Sequence, residues 1–249
     1  MKKVILIAAS LVAFASCIKD VDVTSEKGYL RFNLAADDIV VTTKAVVAAD
    51  ELNAYTVHVG ETSYNYGENI KNQTLTLDPK KYVIYAENMT PDAAHEDNGA
   101  LRLASEAKEV TITAGNTEVV SLACKAVNAK ITVNFDASFK AAFSSYEVKI
   151  GYKDVDDKDN RRLTIASDAD CFYNIRPDGK GLNLNLTATP RVGAQNAKTN
   201  STDLAIQAGY HYTVSYSAGT SGYVSITVTA DDTLIDVAPQ NITVNPYQS

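Results

Sequence analysis

Three histidines, His58, His95 and His211, are the side chains best suited to proton transfer or metal binding in this chain, and they stand far apart. None has a partner at the spacing of a zinc site, and there is no paired-cysteine knuckle, no nucleophile elbow and no phosphate-cradling glycine loop. His58 and His211 fall within alternating stretches beside tyrosines, where a solvent-facing histidine is expected. Asp154-Val155-Asp156-Asp157-Lys158-Asp159-Asn160 could gather carboxylates around calcium, which takes about six to eight oxygens. It lacks the central glycine and closing glutamate of a calcium loop and puts Lys158 where a ligand is needed, so it reads as a solvated hairpin tip. Glu96-Asp97-Asn98-Gly99 is weaker still. Carboxylate pairs that hydrolyse sugars come together from separate strands and leave no linear trace. The residues therefore point away from an enzyme, with no catalytic, cofactor or metal site to name.

A different chemistry is written at the N-terminus. Lys2 and Lys3 precede an apolar run over residues 4–14 broken only by Ser10, then Ala15 and Ser16, then Cys17. That order is a signal peptide, and the run is too short for a helix that spans a membrane, which needs about 20 residues. Small residues before a cysteine resemble the bacterial lipobox, although Phe14 stands where leucine is usual. The resemblance implies cleavage before Cys17 and acyl chains on that cysteine. Ile18-Lys19-Asp20-Val21-Asp22 resembles the signal that sends lipoproteins of the Bacteroidetes group to the outer face of the outer membrane. Losing residues 1–16 removes two lysines and no acids, which carries the net charge from −7 to −9. An acidic chain repels phosphate backbones, so nucleic acid is not the partner.

What positions these residues is strand. Period-two alternation runs through the chain at residues 29–34, 55–59, 75–77 and, most cleanly, 127–135, where Val127, Ala129, Ile131, Val133 and Phe135 interleave with polar residues. Further strands are expected at residues 82–86, 110–113, 118–123, 146–150, 182–188, 210–216, 223–229 and 242–244. Turn signals such as Ala114-Gly115-Asn116 and Pro177-Asp178-Gly179 separate them. Helix is expected only over residues 137–143, capped by Asp136 with Phe139 and Phe143 on one face, and more weakly over residues 46–52. Short strands at this spacing predict antiparallel β-sandwiches. The domains expected are a signal peptide at 1–16, a lipid-anchored tether at 17–27, and β-sandwich domains at 28–125 and 126–249, closely packed because no linker marks the boundary. A hydrophobic fraction of 45% supports a sizeable core. An exported setting permits a bridge between Cys124 and Cys171. Their apolar neighbours Leu122 and Phe172 favour buried free thiols instead.

Several segments together resemble the Bacteroides surface-lipoprotein families related to fimbrillins, one of them described only as a domain of unknown function. They are Gly28-Tyr29-Leu30, Val41-Thr42-Thr43-Lys44-Ala45, Tyr82-Val83-Ile84-Tyr85-Ala86 and, above all, residues 115–135. The likeness covers residues 17–151, with departures at Asp78-Pro79-Lys80-Lys81-Tyr82 and at residues 93–99. It implies two transthyretin/Ig-like sandwiches and, in polymerising members, removal of the first strand by a trypsin-like protease so that a neighbour's strand fills the groove. The site usually has arginine where this chain has Lys44, so the cut would fall between Lys44 and Ala45. Asp232-Thr233-Leu234 resembles the Bacteroides acceptor for O-glycosylation at Thr233.

The expectation is thus a non-enzymatic outer-membrane lipoprotein of the cell surface, anchored through Cys17 and acting as pilus subunit, anchor or adhesin by strand addition and loop contacts. Its partners would be other pilus subunits or surface ligands. The alternative is a glycan-binding lipoprotein of a polysaccharide-uptake system, for which some of the 14 tyrosines would serve as stacking platforms. Tyrosine also suits a half-buried pleated surface, and the chain has no tryptophan.

Overall fold

Alternation in the sequence becomes alternation in burial. In β14 (Leu182–Pro190), Leu182, Leu184, Leu186 and Ala188 are buried while Asn183, Asn185 and Thr187 are partly open to solvent. The same period places one side chain inside and the next outside along β9 (Thr117–Ala126) and β10 (Asn128–Phe135). The structure is a computed structural model that describes residues 26–40, 43–46, 51–95, 98–155, 162–191, 197–219, 224–231 and 240–244.

The remaining strands before residue 127 are β1 (Gly28–Val40), β2 (Thr43–Val46), β3 (Thr56–Val59), β4 (Thr62–Asn65), β5 (Leu75–Leu77), β6 (Lys81–Glu87), β7 (Leu103–Ser105) and β8 (Lys108–Thr111). They pair in the order β2-β1-β9-β7-β6-β3-β4, with β5 added to β1 and β8 to β6. Leu30, Phe32, Val57, Ile84, Val120 and Leu122 meet in one core. After residue 127 come α1 (Ala137–Ala142), β11 (Phe143–Tyr152), β12 (Leu163–Ile165), β13 (Ala169–Asn174), β15 (Lys198–Leu204), β16 (His211–Ala218), β17 (Val224–Asp231) and β18 (Gln240–Val244). Two sheets, β13-β10-β16-β17-β18 and β12-β11-β14-β15, close over a second core that includes Ile131, Val148, Leu184 and Val214. The fold is all-β, as the alternation predicts. Each half departs from a purely antiparallel plan at one ladder, β1 with β9 and β10 with β16, which run parallel. Period two fixes the face of a side chain and carries no information about strand direction.

The expected helix forms where it was placed. The Asp136 carboxylate accepts the Phe139 N–H at 2.8 Å, and the Phe139 and Phe143 rings lie 4.5 Å apart. Of the weaker helix expected over residues 46–52, Val46 lies in β2 and Glu51 and Leu52 lie in a 3₁₀ turn over Glu51–Ala54, while residues 47–50 lie outside the described residues.

The halves are laced together around Val127 and Asn128, and also where the Phe172 N–H donates to the Asn98 carbonyl at 2.8 Å and the Asn174 amide to the Pro91 carbonyl at 3.0 Å. Val127 alone separates β9 from β10, and its N–H donates to the Arg102 carbonyl at 3.0 Å. Asn128 is fully buried: its amide donates to the Ala100 carbonyl at 2.7 Å and its side-chain oxygen accepts the Arg102 N–H at 3.1 Å. Gly209 N–H donates to the Asn128 carbonyl at 2.9 Å, so Asn128 ties segments from both cores.

Candidate functional site

The feature with the clearest functional geometry is the seat of β1. Tyr29 to Ala36 pair in parallel with Thr117 to Cys124, and Leu30 and Phe32 point into the core, fully and almost fully buried. Beyond that ladder the strand turns back on itself, Val40 pairing with Thr43 and Asp37 with Val46. Lys44 and Ala45 lie within this short return strand, opposite Ile39 and Asp38. The bond between them is therefore part of a hydrogen-bonded ladder and not a free loop. A protease would reach it only after β2 separates from β1, since these enzymes take extended backbone. Cys17 and Thr233 lie outside the described residues, as does most of the acidic stretch 154–160. Asp154 itself has a left-handed backbone at φ 53°, and its carboxylate is 3.3 Å from the Lys180 ammonium.

His211, expected at the surface, is buried, which corrects that expectation; His58 keeps to the outer face of its strand and is half-buried there. His58 faces Ser63 directly across the β3–β4 hairpin, whose two-residue turn opens on Gly60 at φ 60°. Its Nδ1 is 2.9 Å from Ser63 Oγ, and its ring stacks on Tyr85 with centroids 4.3 Å apart. Nε2 lies 3.2 Å from Glu87 Oε1, close enough for attraction but too poorly aligned to form a hydrogen bond. The other Glu87 oxygen accepts from the Arg102 guanidinium at 2.7 Å, and Arg102 Nε donates to the Met89 carbonyl at 3.2 Å. Hydroxyl, imidazole and carboxylate stand in the order of a hydrolase triad. Acyl transfer also needs converging oxyanion donors and a substrate cavity, and one groove of the described residues lies between other strands, β8 and β9. What the arrangement does is neutralise a buried carboxylate beside the seam between the halves.

His211 is buried at the start of β16. Thr132 Oγ donates to Asp170 at 2.5 Å, so its 2.7 Å bond to His211 must be donated by Nε2–H, which fixes the tautomer. Burial pushes the Asp170 carboxyl up, but its bonds to Lys130, 2.8 Å away, and Thr132 outweigh that and hold it below the usual carboxylate value. Neither cluster had a linear signal except the Gly60 turn, which fixes the register that sets Ser63 opposite His58. His95 ends a short 3₁₀ turn. Among the described residues, no three His, Cys, Asp or Glu side chains group as metal ligands.

Cys124 and Cys171 form no disulfide and are both buried, one in each core. Burial pushes the Cys124 thiol up to about 12, and its Sγ–H donates to the Ala86 carbonyl at 3.6 Å. The tyrosines are mostly structural: Tyr55, Tyr66, Tyr152, Tyr173, Tyr212 and Tyr216 are buried, and Tyr29 is the exposed one among those described. Among the described residues no helix is long and apolar enough to cross a membrane.

The family described as "Domain of unknown function (DUF4493)" matches residues 26–246. No match is found among curated proteins. Solved structures of similar shape include a "putative adhesin" from Bacteroides ovatus, at 9% identity and TM-score 0.48, covering 84% of this chain and 96% of that one. A "fimbrial assembly protein" from Parabacteroides distasonis is 11% identical with TM-score 0.41, covering 81% and 95%. "Putative polysaccharide binding proteins" from Bacteroides thetaiotaomicron are 8% identical with TM-score 0.46, covering 83% and 98%. The chain is thus similar to proteins of the bacterial group that its sequence resembled, several of them described in adhesion and fimbrial terms.

Proposed function

We propose a function from one premise: the chain belongs to the family described as Domain of unknown function (DUF4493). It is a non-enzymatic protein of the cell surface, held to the outer membrane through lipid on Cys17, that works as a pilus subunit, anchor or adhesin through strand edges and loops. The observation that carries this reading is the seat of β1. A strand that fills a core groove through Leu30 and Phe32, and ends in a return strand containing Lys44, is built so that one peptide cut frees it. Loss of residues up to Lys44 would strip β9 of its partner from Thr117 to Cys124 and leave a groove of matching register. Another chain's strand would supply the missing hydrogen bonds, with side-chain pockets giving selectivity.

The test is the N-terminus and intact mass of the protein isolated from cells. A species starting at Ala45 supports strand replacement. Finding only the acylated Cys17 form removes that mechanism, and failure of labelled palmitate to incorporate removes the anchor.

A further inference from the structure

β8 and β9 are consecutive strands joined by a tight turn, yet they do not pair. The β7–β9 ladder sets Leu103 opposite Ala126 and Ser105 opposite Cys124. Carried forward, the same register sets Lys108 opposite Ser121, Val110 opposite Val119 and Thr113 opposite Asn116. At the far end it holds, since Asn116 N–H donates to the Thr113 carbonyl at 3.2 Å. In between it fails: β8 bonds to β6 instead, and β9 bonds only to β1 along that stretch. The result is a hairpin closed at both ends and open in the middle, with a groove of about 590 Å³ between two unpaired strand edges.

Charged Lys108, Glu109 and Glu118 line the groove together with Val110, Val119 and Val120. Exposed edges are usually blunted by charge or covered by a loop. Here the cover is one flexible side chain, Lys108, whose ammonium donates to the Ser121 carbonyl. Val119, 60% exposed, lines the groove, and Val83, 50% exposed, lies one strand away on β6 opposite Glu109; with Tyr29 they are the exposed large apolar residues among those described. Glu118 lines the groove half-buried with no ion pair of its own.

We infer that this opening binds an extended peptide segment, about four residues long to match β8, that carries a lysine or arginine beside aliphatic residues. Its backbone pairs with the free edges and displaces Lys108 from Ser121. Its cation meets Glu118, and its aliphatic side chains cover Val119. The site lies on the edge of β9 opposite to β1. It therefore deepens the reading of a protein-contacting surface molecule, and rests on that reading, without requiring a cut at Lys44.

The test uses the full-length chain in detergent carrying Lys44→Ala, so that it stays uncut, and a fluorescent peptide Val-Lys-Val-Thr-Val with its counterpart Val-Glu-Val-Thr-Val. The basic peptide should bind and slow hydrogen exchange at residues 108–111 and 117–121. Glu118→Lys should weaken it about tenfold and let the acidic peptide bind in its place. Val119→Asp, on the solvent side where folding is not at stake, should weaken both peptides. Absence of binding by the basic peptide, indifference to Glu118→Lys in a folded chain, or protection only at the β4, β15 or β18 edges overturns the assignment. So does the same protection without peptide in a self-associated chain, which would make the occupant a second copy. Peptide binding in a chain never found cut at Lys44 in cells would refute strand release and leave the groove standing.

Discussion

Truncating Phe32 to alanine tests whether β1 is a plug or a decoration. Its ring is 7% exposed and packs beside Leu30, which has no exposure at all. Removing a buried aromatic ring destabilises by about 3–5 kcal/mol, because the transfer energy is lost and the surroundings only partly collapse. With a urea m-value of about 2 kcal/mol/M for a unit of this size, the unfolding midpoint of the first half should fall by about 2 M. Arg31, the next residue, points outward opposite Val119, and Arg31→Ala should stay within about 0.5 kcal/mol of the parent. Urea titrations followed by tyrosine fluorescence read both variants. A loss below about 1 kcal/mol for Phe32→Ala, or equal shifts for the two variants, would refute the reasoning: β1 would not be seated in a core groove, and releasing it would open nothing.

Asn128→Ala should cost about 2–4 kcal/mol, since it leaves the Ala100 carbonyl and Arg102 N–H unpaired in a buried seam; a thermal melt unchanged from the parent would show that the seam does not depend on it. Bonds to Lys140, to Lys130 and Thr132, and to Arg176 hold the carboxyls of Asp168, Asp170 and Asp178 below their ordinary value, in the last case at about 2. Depressed folded values mean that their stabilisation is complete above the unfolded carboxylate pKa of about 4 and is lost as pH falls through the folded values. Carboxyl NMR titration checks this, and an Asp170 midpoint at or above the model-peptide value contradicts it. Cys124 and Cys171 should resist iodoacetamide in the native protein at pH 8 and both react in denaturant without reductant; a mass showing neither alkylated there would reveal a bridge.

Where one residue's neighbours along the chain decide its surroundings, the structure is legible in the sequence. The run from Ala129 to Phe135 states its own face and length, and Asp136 with Phe139 and Phe143 states a capped turn and its buried side. β15 is the opposite case. Lys198-Thr199-Asn200-Ser201-Thr202-Asp203-Leu204 reads as loop chemistry, and it is extended only because β14 offers it seven register partners. The Glu87 cluster is illegible for a related reason. His58, Glu87 and Arg102 meet through the β3–β6 register and the fold of the seam, and no spacing within one segment encodes either. Burial density is likewise a property of the assembled sheets, which is why His211 faces Thr132 and Asp170 in a closed setting and not in water.

The parallel sense of β1 and β9 has a mechanical consequence. The chain enters at the start of β1, and β9 leaves for the second half at its far end, Ala126, so a pull applied between the N-terminal side of β1 and the second half draws the two strands lengthwise past each other. Lengthwise sliding strains every rung from Tyr29 to Ala36 at once. An antiparallel partner in that place would be peeled open rung by rung. A chain loaded in that direction gains resistance from this choice of strand direction without any additional bond.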